Sequence, residues 1–358
     1  MPPDWPGGYW WHWIVFTIII LAFVLGGAMG FIYFERRGIA RFQVRLGPNR
    51  VGPFGLLQPV ADAIKVLLKE DIIPAKADKL VFWLAPVITF APIMMIFAVI
   101  PLQGGVLLSD LNIGILYIMA VSSVVSIGMF MAGWSSNNKY SLLGAMRDIA
   151  QLVSYEIPLG LSILGVVLLT GSLSMTEIVK AQSIPFILVQ PLGFLIFIIA
   201  ALAEINRTPF DLLEADSEIV AGYNIEYSGM KFAMFYLAEY CEALAISSIT
   251  AVLFLGGWKG PLLPPVLWFI IKVFGVFFLI FWIRSTIPRL RIDQVLSFAW
   301  KFLLPLALIN LVITAIQVAF MGSISLWLLV PINVAIMLVL IVLWPRLLAG
   351  GEEKVELR

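Results

Sequence analysis

Apolar residues run along this chain in long blocks, separated by polar stretches that carry most of its charge. A helix needs about 20 mostly apolar residues to cross a bilayer. Nine windows approach or meet that length: Ile14–Phe34, Leu80–Leu102, Ile113–Trp134, Ile149–Ser172, Pro185–Ala203, Phe232–Leu255, Val266–Ile287, Leu303–Met321 and Ile324–Trp344. The fifth is short, and only Gly322 and Ser323 separate the last two. The pattern predicts an all-α polytopic membrane protein, one membrane domain over 1–358 with about nine transmembrane helices. No Lys or Arg precedes the first block and no small-residue cleavage site follows it, so it reads as a retained span rather than a signal peptide.

The polar stretches are not equivalent. Twenty of the 23 Lys and Arg residues fall on one set of alternate connections, against Lys180 and Lys259 on the other; Lys272 sits inside a span. The positive-inside rule then puts the N-terminus outside and the C-terminus inside. Loop 35–79 is basic at its start and turn-rich around Gly47-Pro48-Asn49. From Gln58 its spacing turns helical. Val60, Ile64, Leu67 and Leu68 make one face, with Asp62, Lys65 and Lys69 opposite, which predicts an interfacial amphipathic helix. Loop 204–231 is acidic, and its acids alternate with Leu, Ala, Ile and Val. A solvated charge run is the plain reading; the interleaving points instead to packing against something.

Composition narrows the chemistry. Hydrophobic residues make up 61% and charged residues 13%, about half the usual ~25% charged share of soluble domains. One cysteine, Cys241, and one histidine, His12, leave no donor set for a chain-borne cluster or structural zinc site, so no metal site is expected. His12 lies among Trp10, Trp11 and Trp13, as in an interfacial aromatic belt, and Cys241 reads as a small packing residue. Gly26 and Gly30 form a GxxxG pattern, a weak sign of close helix packing. No nucleotide-binding glycine motif occurs, and a net charge of +1 gives no case for nucleic acid. No internal repeat is visible.

What remains is a set of ionisable groups in or at the edge of apolar spans: Glu156, Glu204, Glu239, Glu242 and Lys272. Each charged side chain near a bilayer centre costs roughly 2.5–3.5 kcal/mol on insertion scales. A carboxylate lowers that cost by taking up a proton, so a series of them is a physical route for protons. Each alone could equally pair with a base or snorkel to an interface. Pro158 leaves the Ser154 carbonyl without its helical donor beside Glu156, which favours bound water. Glu239 and Glu242 are three apart and share a helix face with Tyr236, with Tyr240 at its border.

Several runs bear a family likeness. Glu35-Arg36-Arg37, the stretch from Arg45 to Gly52, Gln58-Pro59-Val60-Ala61-Asp62-Ala63-Ile64-Lys65 and Lys139-Tyr140-Ser141-Leu142-Leu143-Gly144 are among them. Ser154-Tyr155-Glu156, Arg207-Thr208-Pro209-Phe210-Asp211 and Trp282-Ile283-Arg284 complete the set. With them the chain resembles the H-subunit family of NADH–quinone oxidoreductase, the membrane heel of respiratory complex I, over roughly residues 14–344. The resemblance implies a multi-pass component of a bacterial or mitochondrial inner membrane that forms part of the quinone chamber and couples quinone reduction to proton translocation. It implies quinone (ubiquinone or menaquinone) as substrate, and flavin, haem and iron–sulfur clusters carried by other chains. The implied partners are the peripheral-arm subunits at the quinone site, one of them bearing the terminal iron–sulfur cluster, and the small and antiporter-like membrane-arm subunits. By match, Glu35, Arg36, Asp62, Lys65, Arg284 and Arg289 lie along the chamber. Asp211, Glu214, Asp216 and Glu218 belong to the acidic coupling loop. Glu156, Glu204 and Glu239 continue as the proton path, with Arg147 beside it. Some relatives carry a further Glu in the third span where this chain has Ser123; Glu242 is extra, and it or ordered water is expected to fill that link. A homologous membrane chain of a hydrogenase-type or deazaflavin-linked complex and a lone ion transporter are the alternatives, the latter disfavoured by the missing repeat.

Overall fold

The computed structural model describes residues 10–104, 108–212, 222–321 and 326–356. Among them no strand forms, and the apolar blocks are helices. In chain order these are α1 (Trp10–Phe42), α2 (Gln58–Leu67), α3 (Lys79–Ile96), α4 (Gly114–Ser135), α5 (Lys139–Thr170), α6 (Met175–Ala181), α7 (Phe186–Val189) and α8 (Pro191–Glu204). They continue as α9 (Gly229–Phe254), α10 (Pro265–Thr286), α11 (Ile292–Ser297), α12 (Leu304–Met321) and α13 (Leu326–Glu356). Among the described residues, eight helices are long and apolar enough to cross a membrane. The remaining expected window, the short fifth, is broken at Gln190, leaving the 14-residue α8 as its main piece. The expected turn at Gly322 and Ser323 lies outside the described residues, as does the side chain of His12.

Two helices outrun their apolar windows. α1 is 33 residues long, about 50 Å at 1.5 Å per residue against a hydrocarbon core of ~30 Å. Glu35, Arg36, Arg37 and Arg41 are therefore helical rather than in a loop. Hydropathy stops at the first charge, whereas the helix continues because its backbone ladder is satisfied internally. α5 likewise begins at Lys139, capped by the Asn138 side chain, which accepts from the Tyr140 amide at 3.0 Å. Arg147 and Asp148 thus lie on the same long helix as Glu156.

The bundle is organised around α9, in which 89% of the most apolar window is buried, against 11% for α13 at the periphery. α9 packs on α1, α3 and α10; α5 joins α4, α8 and α12. α4 is held tightly on both sides. A Cβ at Gly128 would meet the Thr89 Oγ1 at 2.4 Å, and one at Gly133 would meet the Ala145 Cβ at 2.4 Å. The GxxxG pair of α1 does not serve packing: a Cβ at Gly26 or Gly30 meets nothing within 4 Å, while one at Gly27 meets the Leu244 side chain at 2.9 Å. The face α1 turns to α9 is rotated one residue from the motif.

Broken backbone in lipid must find polar partners. At the α7–α8 break the Gln190 side-chain amide donates to the Gly165 carbonyl (3.1 Å) and to Thr314 (3.0 Å). Asn333 donates to the Val189 carbonyl at 2.6 Å and exchanges hydrogen bonds with Gln317. Buried amides thereby staple the break to α5, α12 and α13. Between α11 and α12 one widened π-helical segment, Phe298–Leu303, brings the Trp300 indole to donate to Ser154 at 3.1 Å.

Candidate functional site

Residues of α1, α9 and α10 converge on Arg207, just beyond the C-terminal end of α8. This residue follows α8 directly and is 1% exposed. Its guanidinium pairs with Glu35 of α1 and, through Nε, with Glu239 of α9 at 2.8 Å. It also lies 4.5 Å from the Tyr240 ring centroid. Arg284 of α10 pairs with the same Glu35. Two acids and two bases so close form a neutral cluster that ties three spans to the loop after α8. Burial works against the charge on Arg207, but the carboxylates of Glu239 and Glu35 outweigh it and hold the group protonated well above its ordinary range. The resemblance implies Glu35, Glu239 and Arg284; Arg207 is visible in the sequence only as part of its motif, although it is the hub.

A second constellation lies deeper. A cavity of about 30 Å³ is lined by Glu239, Glu242, Asp211, Asn206 and Arg284, among others. Another of about 20 Å³ is lined by Glu156, Glu204, Glu242 and the serines 122, 123 and 126. Each has room for about one or two water molecules. Ser123, at the position where the resemblance implies a carboxylate in some relatives, donates a hydrogen bond to Glu156. Glu242 is 8% exposed and lines both cavities. Glu204, Asp148 and Glu239 act on it electrostatically, with Arg207 as the opposing charge.

Asp148 is the residue that sequence reasoning missed. It is 1% exposed, beside Asn206 and within the electrostatic reach of Glu242. Its place next to Arg147 makes it look like part of a polar helix end. The only available signal is its spacing, two steps of four residues before Glu156, which keeps both towards one side of α5. Lys272, counted above with the intramembrane charges, is not part of this set. It reaches the connection between α9 and α10 and donates to the carbonyls of Gly257 (2.8 Å) and Lys259 (2.6 Å). Arg147 is half-buried one residue from Asp148.

The basic segment forms a third feature. An open groove of about 510 Å³ is lined by Arg36, Arg45, Gly47, Pro48 and Gln58, with Ile39 and Leu46. Arg36 pairs with Asp62 of α2, and Gln58 donates to the other Asp62 oxygen at 2.9 Å. The apolar side chains Ile64, Leu67 and Leu68 of this helix segment are exposed. Lys65 is exposed one turn beyond Asp62, and Arg289 is half-buried after α10. Asp211 lines the cavity of about 30 Å³; Glu214, Asp216 and Glu218 lie outside the described residues.

Known proteins share this pattern over almost its whole length. The NADH dehydrogenase family pattern matches residues 14–315. The chain is similar to the NADH-quinone oxidoreductase H subunit of Dehalococcoides mccartyi strain CBDB1, at 64% identity over 98% of this chain and 99% of that one. It is also similar to the corresponding H subunit of Brevibacillus brevis, at 50% identity over 90% of this chain and 97% of the relative.

Proposed function

Since the chain belongs to the H-subunit family of NADH–quinone oxidoreductases and is a multi-pass membrane component of that complex, working with its other subunits, we propose that its buried carboxylates carry the coupling between quinone reduction and proton translocation. In this reading the groove at Arg36, Asp62 and Gln58, with Lys65, Arg284 and Arg289 nearby, borders the quinone chamber on the inside face. α2 lines its entry with the exposed apolar side chains. The peripheral-arm subunits, one with the terminal iron–sulfur cluster, dock on this face, and electrons reach quinone from there. Flavin, haem and clusters belong to those partners. The antiporter-like subunits receive the proton signal further along the membrane. The N-terminus is outside and the C-terminus inside, in a bacterial-type or mitochondrial inner membrane.

One observation carries the proposal: two water-sized cavities in series, lined in turn by Glu239 and by Glu156 and Glu204, with Glu242 on both. Reduction of quinone takes up protons together with electrons. That draws protons from groups near the chamber and changes the field at the Glu35–Arg207–Arg284–Glu239 cluster. Glu239 belongs to that cluster and also faces the first cavity, so a charge change at the inside face reaches a carboxylate on the path. Asp211 and the rest of the acidic loop, Glu214, Asp216 and Glu218, lie between chamber and path, with Arg147 alongside. Glu242, with water, takes the place of the third-span carboxylate that Ser123 replaces.

The test is Glu204→Gln in the assembled complex, with quinone reduction and proton pumping measured separately. The expected result is loss of pumping with the complex still assembled. A variant that reduces quinone and pumps like the parent would overturn the coupling role.

A further inference from the structure

The two small cavities share, of all their lining residues, only Glu242 and Met129. Glu242 can bind and release a proton. Met129 cannot, and it is 7% exposed. Resting on the carboxylate-path reading above, we propose that Met129 is the positioning residue that partitions the path. Its thioether side chain separates the water of the Glu239 cavity from that of the Glu204 cavity, so that protons cross only through the Glu242 carboxyl.

The argument starts from the backbone. Met129 follows Gly128, where α4 sits so close to α3 that a Cβ would meet the Thr89 amide nitrogen at 2.8 Å as well as the Thr89 hydroxyl. Gly133, four residues beyond Met129, fixes α4 against the Ser141 carbonyl and the Ala145 methyl of α5 in the same way. The α4 backbone at Met129 is therefore pinned on two sides, and only the side chain can move. Methionine suits that position: it is unbranched, apolar and easily repacked. Around it the chemistry changes. On one side lie Glu239, Asp211 and Arg284; on the other Glu156, Glu204 and three serine hydroxyls. A polar residue at 129 would let water bridge the two groups directly. An apolar one leaves the Glu242 oxygens as the common polar element.

The step balances within the chain. A proton passes from the Glu239 side onto a Glu242 oxygen, and Glu242 releases one to the Glu204 side. Only O–H bonds are exchanged, and no co-reactant is needed. The partition makes the carboxyl of Glu242 obligatory, so the two halves of the path communicate only as fast as that one group turns over.

The inference is tested on the assembled complex in sealed vesicles with Met129→Phe, Met129→Ala and Met129→Leu, alongside Glu204→Gln. Phe adds bulk where both cavities meet and is expected to slow coupled quinone turnover and pumping by about tenfold or more. Leu conserves volume and should behave like the parent. Ala opens the wall to water, and the infrared signal of the Glu242 carboxyl, identified by its loss in Glu242→Gln, should shift. If Phe prevents assembly, the Ala spectrum alone decides. An assembled Phe variant with parental rates, or an unshifted Glu242 signal in the Ala variant, overturns the partition. Should Glu204→Gln lose pumping while the Met129 variants behave like the parent, only the partition falls. Should Glu204→Gln itself pump normally, the underlying path reading falls with it.

Discussion

Two groups of buried acids lie close together in this protein and are treated in opposite ways. Around Arg207, Glu35 and Glu239 meet two arginines, and the four charges cancel. Around Glu242, the neighbours Glu204, Asp148 and Glu239 are acids, and Arg207 is the counter-charge that reaches it. The first group is a tie: compensated charges in low dielectric hold α1, α9, α10 and the loop after α8 in register. In the function proposed above the second is a site: acids beside small polar cavities exchange protons instead of forming fixed pairs. Intramembrane charge is therefore not one signal but two, and the partner set tells them apart.

The sharpest way to break the contrast is Arg207→Ala. It leaves Glu239 without its partner and Glu35 with Arg284 alone, and the expected cost is about 3–5 kcal/mol, read as lost assembly or a lowered melting temperature of the purified complex. Glu242→Gln, in the other group, should leave melting nearly unchanged while coupled pumping falls; equal thermal losses in the two variants would erase the distinction. Next in size is the stapled break in the fifth apolar window. Asn333→Leu removes the donor to Val189 and strands Gln317, at about 1–2 kcal/mol of stability in detergent.

A third expectation concerns pH. Tyr227, just before α9, is stacked on Phe82 and hydrogen-bonded with Ser135 at 3.3 Å. Burial pushes its hydroxyl up to about 12, against the slight lowering from Ser135. The folded protein thus resists ionising it while the unfolded chain, near 10, does not. Its stability contribution is complete below pH 10 and is lost as pH rises towards 12, because the unfolded chain gives up this proton first. Tyr227→Phe should flatten that alkaline loss in a melting series. The smallest effect is expected for Arg36→Ala. That pair is about 40% exposed on both sides, and its loss should cost no more than about 1 kcal/mol.

Much of the fold is legible in the sequence, and for a physical reason. Lipid demands long apolar helices, so nine windows follow from block length, eight of which are long helices among the described residues, and the scarce acids at Glu156, Glu204, Glu239 and Glu242 stand out against them. What hydropathy reports is entry into the bilayer; it does not report which face turns inward. Hence Asp148 passes for an end-of-helix charge, Gly26 and Gly30 pass for a packing motif, and Lys272 falls in with acids whose cluster it does not join. The break at Gln190 is hidden for the same reason: polar groups from three other helices repair it, and no local pattern announces a partner 124 residues away. Arg207 can be read as a motif member, but its role as hub depends on α1 and α10 arriving beside it.

The seclusion of α9 has a consequence for how the protein is made. A helix that carries Lys231, Glu239 and Glu242 and buries 89% of its most apolar window is poorly suited to lipid on its own. α1 and α3 are already synthesised when it emerges, but α10, which supplies Arg284, is not. The middle of this protein therefore enters the membrane on credit from a helix not yet translated, and α10, the last of its packing neighbours to arrive, completes the charge balance.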